Sequence, residues 1–465
     1  MDLNKYKMVY FIGIGGIGMS ALARYFKSLG LEISGYDRVS TSLTDELESE
    51  GMQIHFNDDV KQIPSKFIDS SNKENVLIIY TPAIPSNHIE LNYFRDNEYD
   101  VYKRSAILGE ITKENYSIAV AGTHGKTTTS SIIAHILKYS GKDCTAFLGG
   151  ISKNYNSNFL LANIGNEEAP IVVEADEYDK SFLTLYPDIA VITSMDADHL
   201  DIYGSKNQLE DNYRKFSLQV KPTGKLFAKA GLGFDNISYT YSIKKGADFK
   251  ANNIGINERQ YIFDVEGVFG IITGLSLGLP GIHNVENALA ATAVAQYLGI
   301  ENDVIKDALK SYLGVKRRFE LRFSSEETVY IDDYAHHPEE LRACIQSVKE
   351  LYPNKKITGI FQPHLFSRTR DFVDGFAKSL SMLDELILMD IYPARELPIE
   401  GITSSIIFEK VTIPNKRILT DKTILNEIEN TKTDVLLTLG AGDIDKLVEP
   451  IEQILKDKSK TKDLI

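Results

Sequence analysis

Cysteine is scarce: only Cys144 and Cys344 occur in 465 residues. They stand far apart, with no Cys or His neighbours at zinc-ligand spacing. That excludes a disulfide framework and fits a reducing compartment, hence a cytoplasmic protein. Each is expected as a small buried hydrophobe and not as a nucleophile. Long apolar runs are missing too. No stretch approaches the roughly 20 residues of a membrane span. Met8 to Phe26 is fairly apolar and follows two lysines, but Gly13, Gly15, Gly16, Gly18 and the charge at Arg24 disqualify it as an export signal. Positive charge is short as well: 51 Lys plus Arg face 65 Asp plus Glu, a net −14. Such a chain is a poor partner for nucleic acid or an anionic membrane, so any phosphate must be held by local clusters. Tandem repeats and low-complexity segments are absent. What remains is globular, with 43% hydrophobic and 25% charged residues. At about 150 residues per domain the length predicts roughly three domains.

The stretch Ser117 to Ser130 reads as an apolar strand, a glycine-bearing turn and a helix start. Gly122 and Gly125 let backbone approach a ligand, with Thr123 and His124 between them. The N–H groups that open the helix suit an anion. Lys126 adds a full positive charge, and Thr127 or Thr128 a hydroxyl suited to magnesium. This is equipment for a nucleoside triphosphate. It departs from the strict phosphate-loop spacing, because Val120 stands where a glycine is usual. A metal needs further oxygen ligands. Glu174 closes the apolar run Ile171 to Val173, so Thr127, Glu174 and, as an unusual magnesium ligand, His199 are candidates. Asp176, Glu177, Asp196, Asp198 and Asp201 are expected to be solvated or structural.

Upstream, Met8 to Ile12 is a strand running into Gly13-Ile-Gly-Gly-Ile-Gly18, with Asp37 19 residues after the last glycine. This fits a dinucleotide fold, and equally a Rossmann-like half for another nucleotide. The strand Val76 to Tyr80 leads into the rigid loop Thr81-Pro-Ala-Ile-Pro85. Alternating strands and helices predict parallel α/β sheets throughout. Residues 221–268 are polar and read as a small antiparallel patch. Leu279 to Asn284 precedes an alanine-rich helix, Val285 to Leu298. Beyond Gly314 four apolar strands recur, each ending in polar residues, and the lysine-rich tail from Lys456 is expected to fray. Arg317 and Arg318 could present charge to a transferring phosphoryl group. His364, Arg368 and Arg370 could clamp a carboxylate. His336 and His337 are adjacent, point apart and do not make a zinc site.

Taken jointly, Gly13 to Met19, Ala121 to Thr129, Glu174-Ala-Asp-Glu177, Asp196 to Asp201, Gly281 to Ala288, Arg317-Arg-Phe319, Asp333 to Pro338, Phe361-Gln-Pro-His364 and Gly440-Ala-Gly-Asp443 resemble the Mur ligase family, in order and over essentially the whole chain. The resemblance implies three α/β domains. Residues 1–106 would form a Rossmann-like domain that binds a UDP-sugar, and not NAD, through Gly13, Gly15, Gly16, Gly18, Asp37, Thr81 and Ala83. Residues 107–314 would form a phosphate-loop domain for ATP and Mg2+, with two ions and with Mn2+ able to substitute. Residues 315–465 would form a Rossmann-like domain for the incoming amino acid. Implied ATP contacts are Gly122, Thr123, His124, Gly125, Lys126, Thr127, Thr128, His283, Asn284, Asn287 and Arg318. Lys126, Glu174, His199 and Arg318 would be catalytic. Tyr334, His336, His364 and Arg368 would hold the amino acid.

Within the family the pattern resembles members that join L-alanine to the lactyl carboxylate of UDP-N-acetylmuramate through an acyl phosphate, in peptidoglycan precursor synthesis. The alternative is a sister activity that adds a recovered peptide, L-Ala-γ-D-Glu-meso-diaminopimelate, to the same sugar. Partners would be these small molecules, with no nucleic acid and no membrane, in a monomer or weak homodimer. Two departures stand out. Leu365 replaces the arginine that many relatives carry after the Gln-Pro-His histidine. Lys215 lies near the region of a carbamylated lysine in sister ligases, but the matching motif is absent.

Overall fold

Short apolar runs punctuated by glycine, proline and acids can bury both faces only if helices cover both sides of a sheet. The computed structural model, which describes residues 2–163, 165–166, 168–196, 200–244, 246–394 and 396–462, has this arrangement. Among the described residues the strands form three sheets. The chain divides into two compact units, Met1–Asn252 with Asp264–Leu275 and Glu286–Leu313, and Asn253–Phe263 with Ser276–Val285 and Gly314–Ile465. The helix Arg104–Glu114 runs across the first boundary expected from the sequence. Among the described residues no helix is long and apolar enough to cross a membrane.

The first sheet contains β1 (Met8–Ile12), β2 (Glu32–Tyr36), β3 (Gln53–His55), β4 (Val76–Tyr80) and β5 (Asp100–Lys103). All pairings are parallel, in the order β3-β2-β1-β4-β5. β1 is wholly buried. Val9 and Phe11 enter one core, and Met8, Tyr10 and Ile12 enter another. The chain leaves β1 toward β2 and β3, then returns to β4 and β5 on the other side. The carboxyl ends of β1 and β4 therefore flank the crevice where such sheets bind ligands.

Tyr10 brings a polar group into the second core. Its hydroxyl lies 2.7 Å from Glu90 Oε2 and 2.7 Å from His55 Nε2. The Asp59 N–H donates to Glu90 Oε1 at 3.3 Å. Burial pushes the fully enclosed Glu90 carboxyl up to about 7.

The second sheet has β6 (Ser117–Ala121), β7 (Thr145–Ser152), β8 (Ser157–Leu160), β9 (Ile171–Glu174), β10 (Ile189–Ile192), β11 (Lys225–Lys229), β12 (Tyr239–Ser242), β13 (Phe249–Asn257), β14 (Gln260–Gly267) and β15 (Gly270–Leu277). Its order is β15-β14-β13-β12-β11-β10-β6-β9-β7-β8. β6 sits between β10 and β9, parallel to both. The expectation of a small antiparallel patch over 221–268 is corrected for β11 to β13. β11 continues the parallel run from β10, and β12 and β13 extend it. Glu258 and Arg259, both at positive φ, make the two-residue turn into β14. The polar composition reflects a half-exposed sheet extension. β8 pairs antiparallel with β7 at the far edge.

The third sheet has β16 (Glu320–Ser324), β17 (Val329–Asp333), β18 (Ile357–Phe361), β19 (Glu385–Leu388), β20 (Lys416–Ile418) and β21 (Val435–Leu439), ordered β16-β17-β21-β18-β19-β20. β16 is antiparallel to β17, and the remaining pairs are parallel. Six strands stand where four were expected, since β16 and β20 are polar edge strands with weak apolar signatures. The tail forms the last part of the helix Asp445–Lys462 and is not frayed over that range. Its apolar stripe, including Leu447, Ile451 and Leu455, packs into the core of this sheet.

Candidate active site

The turn after β6 is built by glycine. Gly125 adopts φ +83, and a Cβ there would stand 2.5 Å from Asn287 Oδ1. Asn287 Oδ1 also accepts from Thr129 Oγ1 at 3.3 Å, so this asparagine braces the loop against the helix Lys126–Tyr139. Thr123 and His124 are tied to the segment after β10: Thr123 Oγ1 lies 2.8 Å from Ser194 Oγ, and the His124 N–H donates to Ser194 Oγ at 2.8 Å. Thr127 and Thr128 are buried in the first helical turn.

Lys126 Nζ donates to the Gly122 carbonyl at 2.8 Å and lies 2.9 and 2.8 Å from the two carboxylate oxygens of Glu177. Of the two expectations for Glu177, solvated or structural, this pairing is the structural one. Burial works against the Lys126 ammonium. The Glu177, Glu174 and Asp176 carboxylates outweigh it and hold the amine above its ordinary value. Glu174 lies over Gly149, where a Cβ would overlap its carboxylate. Its Oε2 is buried without a hydrogen-bond partner among the described residues. A buried carboxylate oxygen in that position fits a cation. His199, the third expected metal ligand, lies outside the described residues. Among the described residues no group of three or more His, Cys, Asp or Glu side chains is placed to hold a metal ion.

The glycine loop after β1 and the loop after β4 meet. The Thr81 N–H donates to the Ile12 carbonyl at 3.3 Å, and Thr81 Cγ2 stands against Gly13. Ala83 is exposed beside them. Asp37 stands beside this loop. Its Oδ2 accepts from the Gly15 N–H at 2.8 Å and its Oδ1 from the Val39 N–H at 3.3 Å, so it fixes the loop itself. Gly16 caps the helix Ile17–Ser28. Arg104, which no sequence motif singled out, lies over Gly18, where a Cβ would be 2.5 Å from Nη1. Its Nη2 is 3.6 Å from Asp176.

The helix Ile282–Tyr297 begins three residues before its expected start, so His283 and Asn284 lie in its first turn. Asn284 Nδ2 donates to the Pro280 carbonyl at 2.6 Å. His283 Nδ1 is buried without a partner among the described residues, and burial lowers the imidazole to about 4. Arg318 and Arg317 lie over the Tyr334 ring at 5.1 and 5.4 Å. Arg317 is also bound to Asp332 at 3.1 Å and to the Gly440 carbonyl at 2.8 Å, a structural tie. Asp332 and Asp333 lie within β17 and not beyond it. Asp333 accepts from the N–H groups of Phe319 and Ala335, both at 2.7 Å, and burial pushes its carboxyl up to about 6.

Tyr334, His336, His364 and Arg368 come together at the ends of β17 and β18. The Tyr334 and His336 rings are 5.3 Å apart, His336 and His364 5.9 Å, and Arg368 Nη1 lies 3.4 Å from His364 Nδ1. Tyr392 stacks on His364 at 5.7 Å. Arg370 turns outward to Asp371 at 2.7 Å and does not join the cluster. Leu365 is buried at φ +71, an uncommon conformation for leucine, and helps turn the chain from β18 into the helix Phe366–Asp371. Both cysteines are buried as expected.

Residues 8–116 match the family profile described as Mur ligase family, catalytic domain; 120–295 match the Mur ligase middle domain; 317–442 match the Mur ligase glutamate ligase domain. A UDP-N-acetylmuramate–L-alanine ligase from Flavobacterium johnsoniae is 51% identical, covering 98% of this chain and 100% of that protein. The same-named protein of Cytophaga hutchinsonii is 47% identical, over 98% and 99%. The crystal structure of a UDP-N-acetylmuramate-alanine ligase from Thermotoga maritima superposes with a TM-score of 0.82 at 28% identity, covering 98% of this chain and 99% of that one. With three consecutive domain matches and near-full-length relatives at about half identity, this chain belongs to the Mur ligase family.

Proposed function

We propose that this chain is an ATP-dependent ligase that joins L-alanine to the lactyl carboxylate of UDP-N-acetylmuramate, a step of peptidoglycan precursor synthesis. The carrying observation is the phosphate loop: a glycine turn at the head of a helix, with Lys126 and the unpartnered Glu174 oxygen beside it. The near-full-length relatives bear this activity in their names, so the peptide-adding alternative is not favoured.

A carboxylate is a poor electrophile. Its oxygen attacks the γ-phosphorus of ATP, ADP leaves, and an acyl phosphate forms. The alanine amine adds to that carbonyl, and phosphate leaves from the tetrahedral adduct. The N–H groups of 122–128 and the Lys126 ammonium receive the phosphates. His283, Asn284 and Asn287 serve the adenine side; the unpartnered His283 nitrogen supports a ligand there. Arg318 meets a phosphate. Thr127, Glu174 and His199 would hold magnesium, which when bound offsets the charge of the triphosphate. Tyr334, His336, His364 and Arg368 form the alanine pocket, with Arg368 on the carboxylate. The loops at Gly13–Gly18 and Thr81–Ala83, with Asp37, take the UDP-sugar, and Asp37 also braces the Gly15 N–H.

These roles correspond to three functional domains, 1–106, 107–314 and 315–465, in a monomer or weak homodimer. Two free, buried cysteines support a cytoplasmic setting. The test is phosphate release from ATP with magnesium, UDP-N-acetylmuramate and L-alanine, omitting each in turn. Release requires all of them, with a UDP-muramoyl-alanine product by mass. Release only when L-alanine is replaced by the tripeptide would overturn the assignment.

A further inference from the structure

The phosphate-loop lysine is already in use. Its ammonium offers three donors. One goes to the Gly122 carbonyl, and the Glu177 carboxylate faces the rest with both oxygens. The Lys126 side chain is 13% exposed and that of Glu177 is 1% exposed, so water does little to screen the pair. The Glu177 backbone is pinned as well. Its carbonyl accepts from the Tyr203 hydroxyl at 2.6 Å and from the Lys180 N–H at 3.0 Å. Any movement of its carboxylate must therefore come from side-chain rotation.

We propose that Glu177 is the resident counter-ion of Lys126 and that the nucleotide phosphates displace it. This inference rests on the reading of Lys126 as the β,γ-phosphate ligand. A buried ammonium without an anion is costly, so without nucleotide the loop is stabilised by a carboxylate. A polyphosphate brings its own negative charge to the same ammonium. A carboxylate held at hydrogen-bond distance would then repel it. Binding is consequently an exchange: the Lys126–Glu177 contacts break and Lys126–phosphate contacts form. The exchange lowers nucleotide affinity and protects the loop when no nucleotide is present. Glu177 acts through Lys126 and is a positioning residue, not a catalytic one.

Calorimetric titration of the full-length protein with the β,γ-imido analogue of ATP and magnesium tests this. Glu177→Gln removes the competing charge and should bind the analogue about tenfold more tightly, the order expected when one charge-assisted hydrogen bond need not be surrendered. Its nucleotide-free unfolding temperature should fall, and the analogue should raise it by more than it raises the wild type. Glu177→Asp keeps the charge on a shorter arm and should shift affinity in the same direction by less. It carries the comparison if the glutamine variant does not fold. Affinity equal to or weaker than wild type in the folded variants overturns the proposal, because Glu177 would then support the loaded site. The Lys126→Ala variant separates the two readings. Unchanged analogue affinity there sinks the phosphate-loop assignment, whereas lost affinity there, with no gain on changing Glu177, sinks only the exchange.

Discussion

At the residue scale, the candidate site consists of side chains with opposed needs held close together. Lys126→Ala should lower ATP turnover by about 10²-fold or more while UDP-sugar binding survives, because a transition-state charge loses its partner. Turnover within a few-fold of wild type would remove Lys126 from the phosphates. Arg368→Ala should raise the apparent KM for alanine about tenfold or more and leave that for ATP nearly unchanged, as expected for loss of a charge-assisted carboxylate contact. The contrast with Arg370 is informative. In sequence the two arginines are equivalent candidates, two positions apart. In the structure Arg368 is buried against His364, and Arg370 is spent on its neighbour Asp371.

At the scale of elements, function follows from where strands stop. The loops after β1 and β4 flank a strand-order reversal, and β6 feeds its turn directly into a helix start. Gly125→Ala tests how far that turn depends on glycine. Its φ of +83 and its contact with Asn287 predict a loss of about 1–2 kcal/mol, read by chemical denaturation, with weakened ATP affinity. An unchanged midpoint would show that the turn can relax. The central strands and glycine turns were legible because period, apolar run and turn residue agree there. The polar edge strands β16 and β20 were not, and the extension was read only as a small antiparallel patch, since a strand exposed on one side carries a weak apolar signal. Glu177 and Arg104 were illegible for another reason. Each acts through a partner distant in sequence: Lys126 is 51 residues from Glu177, and no spacing rule reports such a pairing.

At the scale of the whole molecule, several buried imidazoles make the fold sensitive to acid. Burial lowers the pKa of His55, His88, His135 and His283. Unfolded histidine binds a proton below about 6.5, whereas folded His283 does so only near 4, so the unfolded state binds more protons in that window. Stability should therefore fall as pH drops through it, read as a declining unfolding temperature. A His283→Gln variant whose unfolding temperature declines as steeply as the wild type's would contradict the burial of this ring.

Glu90 runs the other way, and its geometry implies a shared proton. The Tyr10 hydroxyl has a single hydrogen, yet it stands 2.7 Å from an oxygen of Glu90 and 2.7 Å from a nitrogen of His55. One hydrogen cannot satisfy both contacts, so Glu90 or His55 must supply another. With Asp58 and Asp59 adding negative charge nearby, and burial raising the carboxyl to about 7, folding draws that proton from solvent. Near pH 6 the wild type should take up close to one more proton on folding than a Glu90→Gln variant. The difference can be measured as a dependence of unfolding heat on the ionisation enthalpy of the buffer. A proton is thus a stoichiometric reagent in the folding reaction, consumed by the hydrogen-bonded chain of Tyr10, Glu90 and His55 when the domain folds and returned to the buffer when it unfolds.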